Sequence, residues 1–349
     1  MAYGDGIYVS TNAGLSWMET TAPTNSFWKT VASSADGTTL IAASIGISTC
    51  GIYISTNSGN AWIMADFPNN SWSSVASSAD GSRLVAVAGS DIHFNPTSSV
   101  YTSTDYGTTW TLQTNAPNKR WTTVTSSSDG SKLILFTADT IYFSTNSGVN
   151  WLQVNNPPEH WSASSSKELA CSADGTGLAV ILNGNFNTCS IDISSNWGLT
   201  WTKTSAPTNG YLSSIACSAD GSKLVTSANP GLLFLSSDFG LTWKSNNVSA
   251  SWFAVAASAD GNKMLAIARP GGIWTAQTTP SPQLTITSSS TNLALSWMIP
   301  STSFVLQRSS DLISWADVVN PPALDLKDLQ NQVMLSPSNR IGFYRLATP

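Results

Sequence analysis

The stretch STNAGLSW, residues 10–17, decides the fold because nearly the same words return five more times. STNSGNAW begins at 55, STDYGTTW at 103, STNSGVNW at 144, SSNWGLTW at 194 and SSDFGLTW at 236. Each copy holds a Ser, an Asn or Asp, a Gly and a Trp at fixed spacing. They are Ser10, Asn12, Gly14 and Trp17; Ser55, Asn57, Gly59 and Trp62; Ser103, Asp105, Gly107 and Trp110; Ser144, Asn146, Gly148 and Trp151; Ser194, Asn196, Gly198 and Trp201; Ser236, Asp238, Gly240 and Trp243. Short polar side chains bond backbone groups inside a tight turn. Gly takes a backbone shape that a Cβ would forbid. Trp buries a large plate between neighbouring sheets. The pattern reads as a folding device used once per structural unit.

A second motif interleaves with the first. Asp-Gly pairs recur at Asp36, Asp80, Asp129, Asp174, Asp220 and Asp260, with spacings of 44, 49, 45, 46 and 40. A period of that size marks an array, solenoid or propeller. Within each unit an aromatic residue opens an alternating apolar run, as in WKTVASS from Trp28. Asp-Gly then signals a hairpin in which both residues tolerate positive φ. A second apolar strand, a variable loop and a third strand such as GIYIS follow, then the Ser-to-Trp turn and a fourth strand. Four short antiparallel strands per unit describe a propeller blade. The expected fold is all-β: a β-propeller of four-stranded blades over residues 1–277, a linker at 278–283 and a small β-sandwich over 284–349. Six blades are favoured over seven, with the N-terminal strands completing the last blade.

The S-x-D-x-G-x-x-W pattern resembles the Asp-box, or bacterial neuraminidase repeat, of sialidases, xyloglucanases, sortilin-type receptors and a photosystem II assembly factor. Asp105 and Asp238 keep the Asp, whereas Asn12, Asn57, Asn146 and Asn196 replace it. The resemblance implies the propeller fold and leaves the activity open, since these proteins share the box without sharing a reaction. The C-terminal segment, with LSW, FVLQ and FYRL in that order, resembles the small β-sandwich modules that end many secreted bacterial proteins.

Composition narrows the function. Only 10% of the 349 residues are charged, against about 25% in an average domain, and the net charge is -5. Without a Lys/Arg stripe, nucleic acid is not an expected partner, nor is an anionic membrane. No apolar run is long enough for a spanning helix, and the opening MAYGDGIYVS is not a signal peptide. The expectation is a monomeric, secreted or extracytoplasmic protein whose leader is absent from this sequence. Cys50, Cys171, Cys189 and Cys217 read as small buried hydrophobes, with a disulfide between repeat-equivalent pairs as the alternative.

A sialidase resemblance would require three arginines on the substrate carboxylate. Arg83, Arg120 and Arg269 lie at unrelated repeat positions. Other glycosidases need two facing carboxylates. Outside the turns the propeller offers Asp5, Glu19, Asp66, Asp91, Asp139, Glu159, Glu168 and Asp192. Of these, Asp66, Asp91, Asp139 and Glu159 fall in variable loops and are the catalytic candidates. His93 and His160 lack a triad partner, and no phosphate-binding loop, dinucleotide fingerprint, zinc pattern or other cofactor signature is present.

What remains is the aromatic series that opens the units: Trp28, Trp72, Trp121, Trp161, Tyr211 and Trp252, with Arg120 beside it. These rings are either stacking plates for a ligand or caps on the blade-to-blade core. The function expected is binding of a glycan or protein on the variable-loop face. A propeller glycosidase acting on a neutral polysaccharide is the first alternative, and an assembly scaffold or structural protein the second.

Overall fold

The computed structural model describes residues 6–12, 14–24, 26–45, 50–66, 71–90, 98–137, 140–154, 166–183, 189–206, 211–277, 284–288, 293–298, 305–318, 323–325, 330–335 and 342–347. Every regular element among them is a β-strand. The chain divides into two compact units, Met1–Ala276 and Gln277–Pro349.

The first unit holds five sheets of four antiparallel strands in sequence order. The first sheet is Trp28–Ser33, Leu40–Ser44, Gly51–Ser55 and Ile63–Met64; the second to fifth open at Ser71, Thr123, Ser166 and Leu212. A sixth sheet has three strands, Trp252–Ala257, Lys263–Ala268 and Gly272–Gln277. Tyr8–Val9 pairs with Met18–Glu19 in a sheet of its own. The sequence led to the expectation that the N-terminal strands complete the last sheet; among the described residues no strand ladder joins the two.

Burial explains the composition of each strand. Leu40–Ser44 and Gly51–Ser55 are buried at every position, because both faces of these middle strands press on a neighbouring sheet. The fourth strands, such as Ile63–Met64, are exposed at the outer rim. Successive sheets share their cores: Ile41, Ala43, Ile52 and Ile54 of the first pack with Trp72, Val75, Leu84 and Ala86 of the second. First strands touch the first strands of adjacent sheets, so they lie innermost.

The two repeated turns meet at one end of the sheets. In the first, Ser34 Oγ donates to Asp36 Oδ1 at 2.6 Å and accepts the Thr39 N–H at 3.0 Å, while the Thr38 N–H reaches Asp36 Oδ1 at 3.0 Å. Only Gly37 has positive φ, at 74°; Asp36 does not. The Asp-Gly pair is therefore not a two-residue turn with both residues left-handed. It sits in a wider loop from Ser33 to Leu40, organised by the carboxylate. The same staple recurs at Asp80, Asp129, Asp174, Asp220 and Asp260.

In the second turn, Ser55 Oγ donates to Asn57 Oδ1 at 3.0 Å and accepts the Gly59 N–H at 2.9 Å. Asn57 Oδ1 also accepts the Ala61 N–H at 2.8 Å. Asp105 does the same work and adds a bond from Thr109 Oγ1 at 2.7 Å. Two consecutive residues take positive φ, as in Ser58 (58°) and Gly59 (86°). Asn thus replaces Asp without loss of the turn, because one side-chain oxygen is what the backbone needs.

The second unit is built from a four-stranded and a three-stranded sheet around Leu295, Trp297, Leu306 and Val333. Residues 309–315, SSDLISW, form a shortened version of the second turn. Ser309 Oγ donates to Asp311 Oδ1 at 2.8 Å, and Leu312 takes φ 66°. All four cysteines are free.

Candidate ligand face

Antiparallel topology brings the strand ends that lead into the variable loops and the inter-sheet linkers to the end opposite both turns. The turn serines, Ser34, Ser78, Ser127 and Ser218, which are buried, and the half-buried Ser258, give a common count along the first strands. Six residues before them stand Trp28, Trp72, Trp121, Leu212 and Trp252. All fill one slot facing the preceding sheet. Trp72, Trp121, Leu212 and Trp252 are 1% exposed and Trp28 is 9% exposed. Edge-on partners complete the slot: Tyr53 at 5.2 Å from Trp28, Tyr101 at 5.9 Å from Trp72, Tyr142 at 5.4 Å from Trp121 and Trp274 at 5.8 Å from Trp252. The expectation of ligand-stacking rings at Trp28, Trp72, Trp121 and Trp252 is corrected: their faces are spent on the core, the usual fate of large aromatics between packed sheets.

One residue earlier the chain reaches the surface. That row holds Phe27, Ser71, Arg120, Tyr211 and Ser251. Phe27 is 43% and Tyr211 49% exposed, and Arg120 is exposed as well. Tyr211 therefore differs in kind from the tryptophans with which it was grouped. Leu212 takes the core slot, and the tyrosine ring stands outside it.

The mount is rigid. Asn183, 2% exposed, donates from Nδ2 to the Leu212 carbonyl at 2.7 Å and accepts the Leu212 N–H at 3.0 Å. The Asn229 N–H donates to the Tyr211 carbonyl at 2.8 Å, as Ile45 does to Phe27 and Arg269 to Ser251, both at 3.0 Å. Phe27 was not among the sequence candidates. Counting back from the turn serine, rather than matching aromatics, would have found it.

Two further groups stand on innermost strands. Lys29 lies five residues before Ser34, and Glu168 four before Ser172. They belong to the first and fourth sheets, yet Lys29 acts on Glu168 electrostatically, which places them across the centre of the ring. Glu168 is open to water there but sunk among protein atoms. Desolvation pushes its carboxyl up, and the Lys29 ammonium opposes the shift.

Most other carboxylates are occupied as staples. Asp36, Asp129, Asp238 and Asp260 are held down to about 2, chiefly by the hydroxyls of Ser34, Ser127, Thr242 and Ser258. Of the catalytic candidates, Asp66 is exposed at the end of the first sheet. Asp91, Asp139 and Glu159, together with Trp161, His93 and His160, lie outside the described residues. No cluster of three or more potential metal ligands occurs among the described residues, and among them there is no helix long and apolar enough to cross a membrane.

No protein-family model and no curated protein matches the sequence. Solved structures do. The GH74 xyloglucanase from Xanthomonas campestris aligns with TM-score 0.61 and 15% identity over 85% of this chain and 55% of that one. The Niastella koreensis GH74 enzyme aligns with TM-score 0.58 and 14% identity over 84% and 55%. YCF48 from Cyanidioschyzon merolae aligns with TM-score 0.55 and 15% identity over 77% and 92%. The chain spans about half the length of the two GH74 structures. At such identities the likeness is one of architecture, and it agrees with the stacked sheets: the chain is an all-β propeller of four-stranded antiparallel blades.

Proposed function

We propose that this propeller is a binding module, taking a glycan or a protein ligand on the end that carries the variable loops. The observation that carries the reading is Tyr211, a half-exposed ring clamped through its own carbonyl and through Leu212. A rigid aromatic is an effective anchor because little conformational freedom is lost on contact. Phe27 and Arg120 occupy the same row on the first and third sheets and widen the surface. The weakly charged exterior, rich in Ser, Thr and Asn, suits an extracytoplasmic protein.

A glycosidase is the second reading, favoured by one observation. Glu168 has its carboxyl raised, as a general acid requires. The Xanthomonas campestris structure is a xyloglucanase, and a partner carboxylate would come from the loop set Asp66, Asp91, Asp139 and Glu159.

The test is a glycan array on the purified protein beside a sugar-release assay on the same glycans. Binding without release, lost in Tyr211→Ala with unchanged circular dichroism, supports the binding module. Release abolished by Glu168→Gln transfers the assignment to the glycosidase. Silence in both assays turns the search to protein ligands.

A further inference from the structure

The junctions between consecutive propeller sheets are built alike at the turn end. Five residues after the turn serine, Thr39, Arg83, Lys132 and Lys223 reach toward the next sheet. There a Cβ built on Gly81, Gly130, Gly175 or Gly261 would meet them at 2.5, 2.5, 3.3 and 2.8 Å. The fourth sheet has Gly177 at this place, and a Cβ on Gly221 of the fifth sheet would meet only Ser172 Cβ, at 3.4 Å. Gly81, Gly130, Gly175 and Gly261 are accordingly buried, whereas Gly221 is half-buried.

Arg83, Lys132 and Lys223 are cations, and their heads bond the next sheet. Arg83 Nη1 donates to Ser147 Oγ at 2.6 Å. Lys132 Nζ donates to the Asp174 carbonyl at 2.7 Å and stands 3.8 Å from the centre of the Trp197 ring. Lys223 Nζ donates to the Asp260 carbonyl at 3.0 Å and to Asn262 Oδ1 at 2.5 Å. The aliphatic stem of each fills the junction while its charge reaches polar groups at the rim.

Space follows from the missing side chain. Between the second and third sheets, Arg83, Leu84, Thr102, Ser126, Gly130 and Ser147 surround about 10 Å³. Between the fourth and fifth, their equivalents Gly177, Leu178, Ile193, Cys217, Gly221 and Phe239 line a cavity of about 320 Å³. Ile193 and Phe239 are bulkier than Thr102 and Ser147, so the room comes chiefly from the glycine. The cavity runs outward past Thr200 and Leu241 into the groove between the two sheets. The outer groove of the first junction, lined by Ile63 and Tyr106, does not reach Thr39.

The walls keep what a cation uses at the sister junctions. The Asp220 carbonyl is the equivalent of those of Asp174 and Asp260, and the Phe239 ring is the equivalent of Trp197. No Lys, Arg or His lines the cavity. The Ser218 hydroxyl holds the Asp220 carboxyl below its ordinary value, so it stays ionised. Burial pushes the Cys217 thiol up to about 12 and keeps it neutral. Phe239 and Leu241 are exposed and leave the mouth open to water.

We propose that the junction between the fourth and fifth sheets is a binding site for a primary ammonium carried on an unbranched aliphatic stem. The stem takes the course that the Lys132 and Lys223 stems take in their own junctions. The ammonium donates to the Asp220 carbonyl and faces the Phe239 ring. A lysine side chain of a polypeptide and a free alkylamine share this chemistry. The site lies at the turn end, opposite the proposed ligand face, and does not rest on that reading.

The probe is n-butylammonium, the side chain that Gly177 lacks, titrated into the full 349-residue chain and followed by NMR. Expected are saturable shifts at the amides of Gly177, Gly221 and Phe239 and a raised melting temperature, with the millimolar affinity open to so small a ligand. n-Butanol matches the stem without the charge and should not saturate. Gly177→Lys supplies the ammonium from the chain itself and should raise the melting temperature and abolish binding. A Cβ on Gly177 would lie 3.1 Å from Ser172 Oγ, and Arg83 and Lys132 are accommodated beside Ser78 and Ser127 in the same turn. Phe239→Ser, which copies Ser147, should weaken binding about threefold or more. Tighter binding of Nα-acetyl-lysine methylamide than of cadaverine would assign the site to a polypeptide lysine, and the reverse order to a free amine. Absence of saturable shifts at the three amides overturns the proposal, as does equal binding of n-butanol or undiminished binding to Gly177→Lys.

Discussion

The backbone N–H of Ala35 donates to the carbonyl of Ala79 at 2.7 Å, and this bond between sheets recurs at four further interfaces with the same length. It is the one main-chain link that passes from blade to blade at every described junction from the first sheet to the sixth. The residue that makes it immediately precedes the stapling aspartate, so the carboxylate that shapes the turn also aims the amide. Hydrogen exchange should read this directly. The amides of Ala35, Ala79, Ser128, Ala173 and Ala219 should exchange slowly although they sit in a surface turn, whereas Ala259 should exchange at a rate near that of an open loop. Fast exchange at the first five would show that the belt opens in solution.

Two glycines separate the cost of backbone shape from the cost of blade contact. Gly37 and Gly81 share φ 74°. At Gly37 an added Cβ meets nothing, so Gly37→Ala should cost only the left-handed penalty of about 1–2 kcal/mol. At Gly81 it would lie 2.5 Å from Thr39 Cβ and Oγ1, and Thr39 is 2% exposed and cannot swing away. Gly81→Ala should lose a further ~1–3 kcal/mol through overpacking. Urea unfolding of the two variants gives the difference, and equal losses would mean that the interface yields freely.

Trp72 and Tyr211 should answer opposite assays. Trp72→Ala removes a ring that is 1% exposed and should destabilise the propeller by about 3–5 kcal/mol. Tyr211→Ala removes a half-exposed ring and should change stability by no more than about 0.5 kcal/mol while abolishing ligand capture. Thermal melts and a binding assay on both variants check the pair. A large stability loss in Tyr211→Ala would return that ring to the core.

Acid should weaken the propeller from a definite side. Asp36, Asp129, Asp238 and Asp260 are held down to about 2 by hydroxyl and backbone donors, and Asp80, Asp105, Asp174 and Asp220 are lowered for the same reason. A carboxyl depressed in the folded state binds its proton more readily when unfolded, near pH 3.9. Its contribution is complete above that value and is lost as pH falls toward 2. Melting temperature should hold steady from about pH 7 to 5 and drop between about pH 4 and 2. A rise in stability on acidification through that window would contradict the staple.

Much of this architecture was legible in the chain itself. The six Ser-to-Trp turns and six Asp-Gly turns announce their own period, because each is a local device whose donors and acceptors lie within a few residues. Ser55, Asn57 and Gly59 close their turn without help from elsewhere. Strand alternation then follows from which faces must be buried.

The ligand face was legible only in part. Trp121, Leu212 and Tyr211 all read as apolar openings of a strand, and one residue of offset decides which ring enters the core and which meets water. That offset is imposed by Asn183, which holds the Leu212 backbone across 29 positions of sequence. The approach of Lys29 to Glu168 depends on the ring bringing the first and fourth sheets to one centre. The exposure of Val31 and Ile267, whose equivalents Val75 and Val87 are buried, depends on which sheet stands next to which. Local hydrogen bonding is written in neighbouring residues, so the sequence by itself determined the turns, the strands and the repeat. Burial and charge contact are properties of distant segments brought together, so only the tertiary structure decided which aromatics are core and which carboxyl is perturbed.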